Sequence, residues 1–165
     1  MLDVLAGEFA RPMSQPFGVV VLRLCMAVLL GGALGWEREL RNRAAGLRTH
    51  MLISLAAACF TLVALNLVDF TNATEAEQRI DPLRLIEAVT AGVAFLAAGS
   101  IIISHGSVRG LTTGASMWLC GAIGLCCGTG DLRLALLVTA LALIVLSLVR
   151  AMFEKAARDE KEEEN

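Results

Sequence analysis

Two arginines, Arg48 and Arg109, stand in near-copies of one short phrase, and each copy lies between two apolar segments. The first copy reads Ala-Gly-Leu-Arg-Thr-His over residues 45–50, and the second reads Val-Arg-Gly-Leu-Thr-Thr over residues 108–113. A shift of 64 positions superposes the glycine, the leucine and one threonine. Ordinary connecting loops need no such repetition, so this repeated phrase is the first candidate for the residues that carry function.

The residue types in the repeated phrase predict an anion contact at the start of a helix. The glycine permits a tight turn, and the threonine hydroxyl can cap the first helical turn. An arginine beside the free N–H groups of a helix start would favour a phosphate, a lipid headgroup or a partner's carboxylate. The predicted contact residues are Glu37, Arg38, Glu39, Gly46, Arg48, Thr49, His50, Arg109, Gly110, Thr112 and Thr113.

A structural explanation of the same residues stays open. Glu37 and Glu39 can neutralise the neighbouring arginines internally, and a basic loop between two membrane spans needs no ligand. An unperturbed histidine titrates near neutrality, but no second feature marks His50 as a pH sensor.

Composition predicts that these residues lie between transmembrane helices. The chain has 165 residues, of which 56% are hydrophobic and 18% charged, whereas soluble domains carry about a quarter charged residues. A helix of about 20 apolar residues crosses the hydrocarbon core. The fold prediction is an all-α membrane protein, a bundle of about five transmembrane helices within the lipid bilayer. The spans are predicted at residues 17–36, 51–68, 86–103, 111–127 and 132–151.

These spans form one predicted domain, residues 17–151, between an N-terminal segment, residues 1–16, and a charged cytoplasmic tail, residues 152–165. The shift of 64 positions also predicts a parallel two-helix repeat, of the kind seen in transporters.

Small residues recur at every fourth position in two spans, as in Ala27, Gly31 and Gly35 and again in Gly124 and Gly128. Such faces allow close helix contacts in a membrane. Spacing alone leaves open whether the contacts form within one chain or in a homo-oligomer.

The basic residues predict the orientation of the chain. With five spans, nine lysines and arginines fall on the side that holds both copies of the repeated phrase and the C-terminus, and four fall on the other side. The positive-inside rule therefore places the N-terminus outside and the C-terminus in the cytoplasm. Asp81 and Arg84 then belong to the outer face.

Two ionisable residues, Arg23 and Glu87, lie inside predicted spans. A charge at mid-bilayer costs about 2.5–3.5 kcal/mol on insertion scales, so an unpaired charge is unfavourable. The shift of 64 positions also superposes these two residues, which predicts an ion pair near the outer leaflet. The alternative is that each side chain extends separately to the outer interface.

Other chemistry is not indicated. No nucleophile stands with a matching base, so the chain is predicted not to be an enzyme, with no catalytic residue and no cofactor. The five cysteines fit no metal-ligand spacing and no metal site is predicted. Asp69, Asp81 and Asp131 could meet at a divalent cation, but solvated loops explain them more simply. No basic patch with interleaved aromatics indicates nucleic-acid binding.

The sequence resembles the MgtC/SapB family of bacterial inner-membrane proteins over roughly residues 20–150. Five blocks keep their order and spacing, and a sixth follows near the end of the fourth span. The blocks are residues 31–39, 45–52, 81–85, 92–99 and 108–113, then residues 122–125 with Gly128 and Gly130. The chain departs from the family pattern at Ala94 and Ala97, which are usually glycines, and at Glu87, which is usually small and apolar.

This resemblance implies an integral inner-membrane protein that modulates a membrane-protein partner or membrane energetics. It also implies a link to low-magnesium or acid adaptation and to virulence. Larger members carry a C-terminal cytoplasmic regulatory domain, so the chain is expected to be a short form. The alternative is a small oligomeric transporter or channel for magnesium or protons, with Arg23, Glu87 and Asp81 along its path.

Overall fold

The computed structural model describes Met1 and residues 13–71, 82–104 and 107–163, with side chains over residues 13–67, 83–103 and 107–148. Over these residues the chain forms five helices and one antiparallel hairpin of two short strands. The elements in order are α1 (Phe17–Glu39), α2 (Leu47–Thr71), α3 (Pro82–Gly99), β1 (Ile102–Ser104), β2 (Ser107–Arg109), α4 (Leu111–Thr129) and α5 (Leu132–Glu163).

The predicted all-α membrane bundle is confirmed. Among the described residues, three helices are long and apolar enough to cross a membrane by length and composition, over Phe17–Glu39, Leu47–Leu67 and Leu111–Thr129, and the Leu132–Leu148 part of α5 is a shorter apolar segment. Helix α3 is not among them; it has 18 residues and carries Arg84 and Glu87.

Two predicted boundaries differ from the structure. The third span was predicted to reach residue 103, but α3 ends at Gly99 and Ile102 begins a strand, since a run of β-branched isoleucines favours extended backbone. The segment predicted as a tail, residues 152–165, continues α5 as a helix as far as Glu163.

Contacts between glycines and neighbouring helices fix the direction of each helix. A Cβ on Gly124 of α4 would lie 2.7 Å from Ala57 Cβ of α2, and a Cβ on Gly128 would lie 2.8 Å from Ala58 O. Both residue numbers rise together, so α2 and α4 run parallel. Against α3 the order reverses, because Gly114 lies beside Ala97 and Gly121 beside Val93. Helix α3 therefore carries the chain back across the bundle between α2 and α4.

The α1–α2 interface is packed at backbone distance. A Cβ on Gly31 would lie 2.8 Å from His50 O, and a Cβ on Gly35 would lie 2.7 Å from Leu47 Cα. The small-residue face predicted in α1 therefore packs within one chain. Helix α4 is the centre of the bundle, since α1, α2, α3 and α5 all pack against it.

Helices α2 and α3 diverge and leave an apolar groove of about 470 Å³ between them. Phe60 and Ala64 line the groove from α2, and Ala88 and Gly92 line it from α3. A Cβ on Gly92 would meet nothing within 4 Å, so α3 is held by α4 more closely than by α2.

Candidate functional site

The first connection, residues 40–46, begins with a compact reversal of the chain. Asn42 has a positive φ of 50°; its N–H donates to Glu39 O at 3.0 Å, and Arg43 N–H donates to Arg38 O at 3.2 Å. This pair of hydrogen bonds around a left-handed residue is a Schellman motif, which satisfies the last carbonyls of a helix. The chain therefore turns back towards α1 within a few residues.

A carboxylate from the end of α1 caps the start of α2. Leu47 N–H donates to Glu39 Oε2 at 3.0 Å, which satisfies one of the free N–H groups of the helix start. The carboxylate lies against Gly46, where a Cβ would collide with it. Gly46 is thus needed for close approach of the carboxylate, and Thr49, predicted as the cap, is the third residue of α2.

Arg38 points into the protein instead of towards solvent. Its side chain is 4% exposed, and Nη2 donates to Thr113 Oγ1 of α4 at 2.9 Å. Its Nε is buried and has no hydrogen-bond partner in the described part of the chain. Among the described residues Glu37 pairs with Arg41, so Arg38 has no carboxylate in contact. The guanidinium therefore ties the end of α1 to the start of α4.

His50 is the next buried polar residue, between α2 and α4. Together with Arg38, Thr113 and Ser116 it forms what we call the buried polar row. His50 is 0% exposed, with Nδ1 at 2.8 Å from Gly46 O and Nε2 at 3.1 Å from Ser116 Oγ. A carbonyl only accepts, so Nδ1 carries a hydrogen. Ser116 Oγ also lies 2.8 Å from Thr113 O. The Ser116 hydroxyl donates to Nε2 when His50 is neutral and to Thr113 O when His50 is doubly protonated.

A thiol closes the row one turn deeper. Cys120 Sγ donates to His50 O at 3.0 Å, and a Cβ on Gly31 would lie 3.3 Å from that sulfur. Ser54 is 0% exposed, and its Oγ has no hydrogen-bond partner within the described ranges. Three helices therefore meet around a polar centre that is closed to solvent.

The second connection, residues 100–110, contains an exposed hairpin. The strands pair Ile102 with Arg109 and Ile103 with Val108, and the described side chains of this hairpin are exposed. Gly110 has a φ of 90°, and a Cβ there would also collide with Ser100 O. The hairpin thus ends in a turn that only glycine fits.

The arginines of the repeated phrase do not occupy equivalent positions. Arg48 is exposed in the first turn of α2, whereas Arg109 is exposed at the end of strand β2. Thr112 is exposed, and Thr113 is buried as the acceptor of Arg38. The predicted Thr113 cap is wrong, because Gly110 is the N-cap and has no side-chain cap hydrogen bond. Because α4 begins directly after the turn at Gly110, Thr113 lies in the first turn of the helix and not at its cap.

At the opposite end of the bundle, the predicted ion pair between Arg23 and Glu87 is wrong. Arg23 Nη1 donates to Gly128 O at 2.9 Å, which satisfies a terminal carbonyl of α4, and Glu87 is exposed on α3. Helices α1 and α3 each pack against α2 and α4, so the two charges lie on different sides of the bundle.

The remaining predicted outer-face residues have separate positions. Arg84 is exposed, and Asp81 lies outside the described residues. Asp131 Oδ1 accepts from Leu134 N–H at 3.3 Å, so it caps α5. Within the described ranges, no three His, Cys, Asp or Glu side chains form a group that could hold a metal ion.

The residues missed from the sequence are Ser54, Ser116 and Cys120. A periodic signal was present, because Thr113, Ser116 and Cys120 follow one helix face of α4 at spacings of three and four. His50 and Ser54 do the same on α2. Polar residues that recur at helical spacing in an apolar segment indicate a face turned to another helix.

Comparison with known proteins places this arrangement in a family. The family model described as "MgtC family" matches residues 24–155. The Escherichia coli (strain K12) protein named "Putative magnesium transporter YhiD" is 36% identical over 129 residues, which cover 78% of this chain and 59% of that protein. "Protein MgtC" of Brucella suis biovar 1 (strain 1330) is 34% identical, with 85% of this chain and 55% of that protein covered.

"Protein MgtC" of Salmonella typhimurium (strain LT2) is 37% identical over 130 residues, or 79% of this chain and 52% of that protein. The chain thus spans between half and three-fifths of the length of these curated relatives. No solved structure matches the chain. The resemblance seen in the sequence blocks is confirmed, and the chain belongs to the MgtC family.

Proposed function

We propose that this chain is a multi-pass protein of the bacterial inner membrane that binds a membrane-protein partner at its cytoplasmic end and modulates it. The observation that carries the proposal is the exposed hairpin. Ile102 is 62% exposed, Ile103 76% and Val108 49%, and Arg109 is exposed beside them. Apolar side chains next to an arginine are the combination that protein interfaces favour over the rest of a surface.

The hairpin stands on a rigid base. Gly110 packs on the Ser100 carbonyl at its root, and Thr113, three residues later, is bound by the buried Arg38. A contact surface held in this way loses little conformational entropy when a partner binds. Arg48 is exposed at the start of the parallel helix α2 and adds a second cation at the same end.

The parallel directions of α2 and α4 support the predicted orientation. Both helices begin at the end where Arg38 and His50 contact α4, so both copies of the repeated phrase lie at one end of the bundle. The excess of lysine and arginine at that end supports its assignment to the cytoplasm. The N-terminus is then outside and the C-terminus inside. The role that we propose for this chain is in low-magnesium or acid adaptation and virulence, and membership of the MgtC family supports this proposal.

A second candidate is a small transporter for magnesium or protons, built by oligomerisation. The printed name of the Escherichia coli relative and the buried polar row of Arg38, His50 and Ser116 favour it. The charge of that row argues against a dication path, since the guanidinium of Arg38 has no carboxylate partner among the described residues and repels a second cation.

Matched charge reversals test the leading proposal. Arg109→Glu reverses an exposed cation on the hairpin, and Arg133→Glu makes the same change at the exposed opposite end of the bundle. The full chain is expressed in a strain that lacks its own MgtC-family protein, and growth at low magnesium and affinity capture in mild detergent are measured. We expect Arg109→Glu to lose both growth and the captured membrane protein, and Arg133→Glu to keep both.

Flux measurements separate the two candidates. The purified chain in liposomes should give no magnesium or proton flux above empty vesicles. A flux that disappears in Ser116→Ala, together with normal growth of Arg109→Glu, would replace the modulator proposal with the transporter.

A further inference from the structure

Helix α3 carries an exposed face that differs from the other lipid-facing surface of the protein. The exposed positions of α5 include Leu137, Leu141, Ile144 and Val145, which are the large apolar side chains expected against lipid. On α3, by contrast, one exposed face consists of two charged and three small residues. This α3 seam comprises Arg84, Glu87, Ala91, Ala94 and Ala98, all of them exposed.

The α3 seam has the spacing of a helix–helix contact. Its members follow one another at intervals of three, four, three and four residues, which is the heptad spacing that keeps one face of a helix against a neighbour. Small residues at such positions let two helices approach closely in a membrane. The α3 seam is not the face of α3 that contacts α4, because that face contains Val93 and Ala97.

The depth of the charged residues follows from the packing of α3 on α4. Val93 lies beside Gly121, and Glu87 is six residues nearer the outer end, or about 9 Å at 1.5 Å per residue. Helix α4 extends a further eight residues beyond Gly121, to Thr129. Glu87 is therefore near the outer edge of the apolar zone, with Arg84 one turn further out and the three alanines inside the zone.

Neither charge has an ion-pair partner among the described residues. They also form no ion pair with each other there, although they are only three positions apart in α3. The seam thus presents one cation and one anion at its outer end. A matching partner must place an anion opposite Arg84 and a cation opposite Glu87.

We propose that the α3 seam is the contact surface for a second copy of this chain. A twofold axis normal to the membrane places two copies of α3 side by side in the same direction, with the same residues on both. Arg84 and Glu87 are separated by about 60° around the helix. The axis passes between them, so Arg84 of each copy faces Glu87 of the other. The seam is self-complementary, with two ion pairs above three layers of alanine.

Cysteine cross-linking in native membranes tests the dimer. Cys25 and Cys59, the exposed native thiols of the described residues, are first replaced by alanine. Ala91→Cys then places a thiol at the centre of the seam, and Ala140→Cys makes the same change on the exposed face of α5. On oxidation we expect Ala91→Cys to give a covalent dimer and Ala140→Cys to stay monomeric. Equal cross-linking at both positions would overturn the proposal.

Charge reversal tests the ion pairs in the Ala91→Cys background. Glu87→Arg or Arg84→Glu alone sets like charges against each other across the axis. We therefore expect the association constant of the dimer to fall about tenfold. The double exchange, Arg84→Glu with Glu87→Arg, restores opposite charges and should restore the dimer. A double exchange as weak as either single variant would overturn the self-complementary seam. The hairpin is not part of this surface, so either result leaves the partner-binding test separate.

Discussion

Residues 40–46 and residues 100–110 join helix pairs at the same end of the bundle, yet they do opposite things with their charges. The first connection is closed: Asn42 reverses the chain, Glu39 caps α2, and Arg38 turns inward to α4. The second is open, with an exposed hairpin that ends in Arg109. The first connection therefore joins α1 to α2 and α4 through internal contacts, whereas the second presents an exposed surface.

The same contrast extends to the helices that follow. Helices α1 and α2 meet at backbone distance through Gly31 and Gly35, whereas a Cβ on Gly92 of α3 would meet nothing within 4 Å. The first hairpin of helices is a rigid unit, and α3 is attached to it through α4. The two repeated helix pairs therefore run in the same directions, but their helices pack differently.

The largest expected effect on stability comes from replacing one glycine by alanine in each of two helices, at Gly35 in α1 and at Gly92 in α3. A Cβ on Gly35 would lie 2.7 Å from Leu47 Cα, so we expect Gly35→Ala to lower the free energy of unfolding by about 3 kcal/mol. Gly92→Ala has room and a better helix propensity, and should leave stability unchanged or raise it by up to about 1 kcal/mol. Unfolding of both variants in detergent is measured by circular dichroism. Equal losses would mean that the two helix pairs are packed alike.

The next effect distinguishes the buried arginine from the exposed ones. Arg38→Ala leaves a cavity and removes the bond to Thr113, and we expect it to cost about 2 kcal/mol of unfolding free energy. Arg48→Ala and Arg109→Ala change exposed side chains and should stay within about 0.5 kcal/mol of the parent. The same unfolding measurement ranks the three variants. Arg38→Ala as stable as Arg48→Ala would remove the distinction between the internal contact and the exposed surface.

A smaller effect is expected at the cap of α2. Glu39→Ala leaves Leu47 N–H without its acceptor and should cost about 1 kcal/mol. Gly46→Ala drives a Cβ into the Glu39 carboxylate, so its cost should shrink when Glu39 is already alanine. A double-mutant cycle measures this coupling, and strict additivity would show that the carboxylate does not lie over Gly46.

The smallest effect concerns the reversal in the first connection. Asn42 has a positive φ, a conformation that glycine adopts more easily. Asn42→Gly should therefore raise stability by a few tenths of a kcal/mol, and Asn42→Val should lower it by about 1 kcal/mol. Melting temperatures of the two variants give the order. A destabilised Asn42→Gly would contradict the left-handed turn.

The sequence predicts the helices well because apolar length is a local property. The spans that contain Gly31 and Gly124 were expected as helices with close contacts, and they form them. The alternating direction of the helices also follows from the count of spans, and the contacts of Ala97 with Gly114 and of Val93 with Gly121 agree with an antiparallel α3.

The site was harder to predict because its contacts join distant parts of the chain. Arg38 binds Thr113, which is 75 residues away, and His50 meets Ser116 across 66 residues. The repeated phrase suggested that equivalent residues would have equivalent surroundings. That inference fails because the two connections differ in length and structure. A loop of seven residues precedes α2, and a segment of eleven residues that contains the hairpin precedes α4, so equivalent residues have different neighbours.

The buried polar row also has a consequence for biosynthesis. Helices α1 and α2 leave the ribosome first, and their glycine contacts need no later residue. His50 and Ser54 then face lipid until α4 arrives with Ser116 and Cys120. We expect the nascent two-helix intermediate to be retained by the insertion machinery until the fourth helix covers this polar stripe, so that membrane release is timed by α4 and not by the first hydrophobic segment.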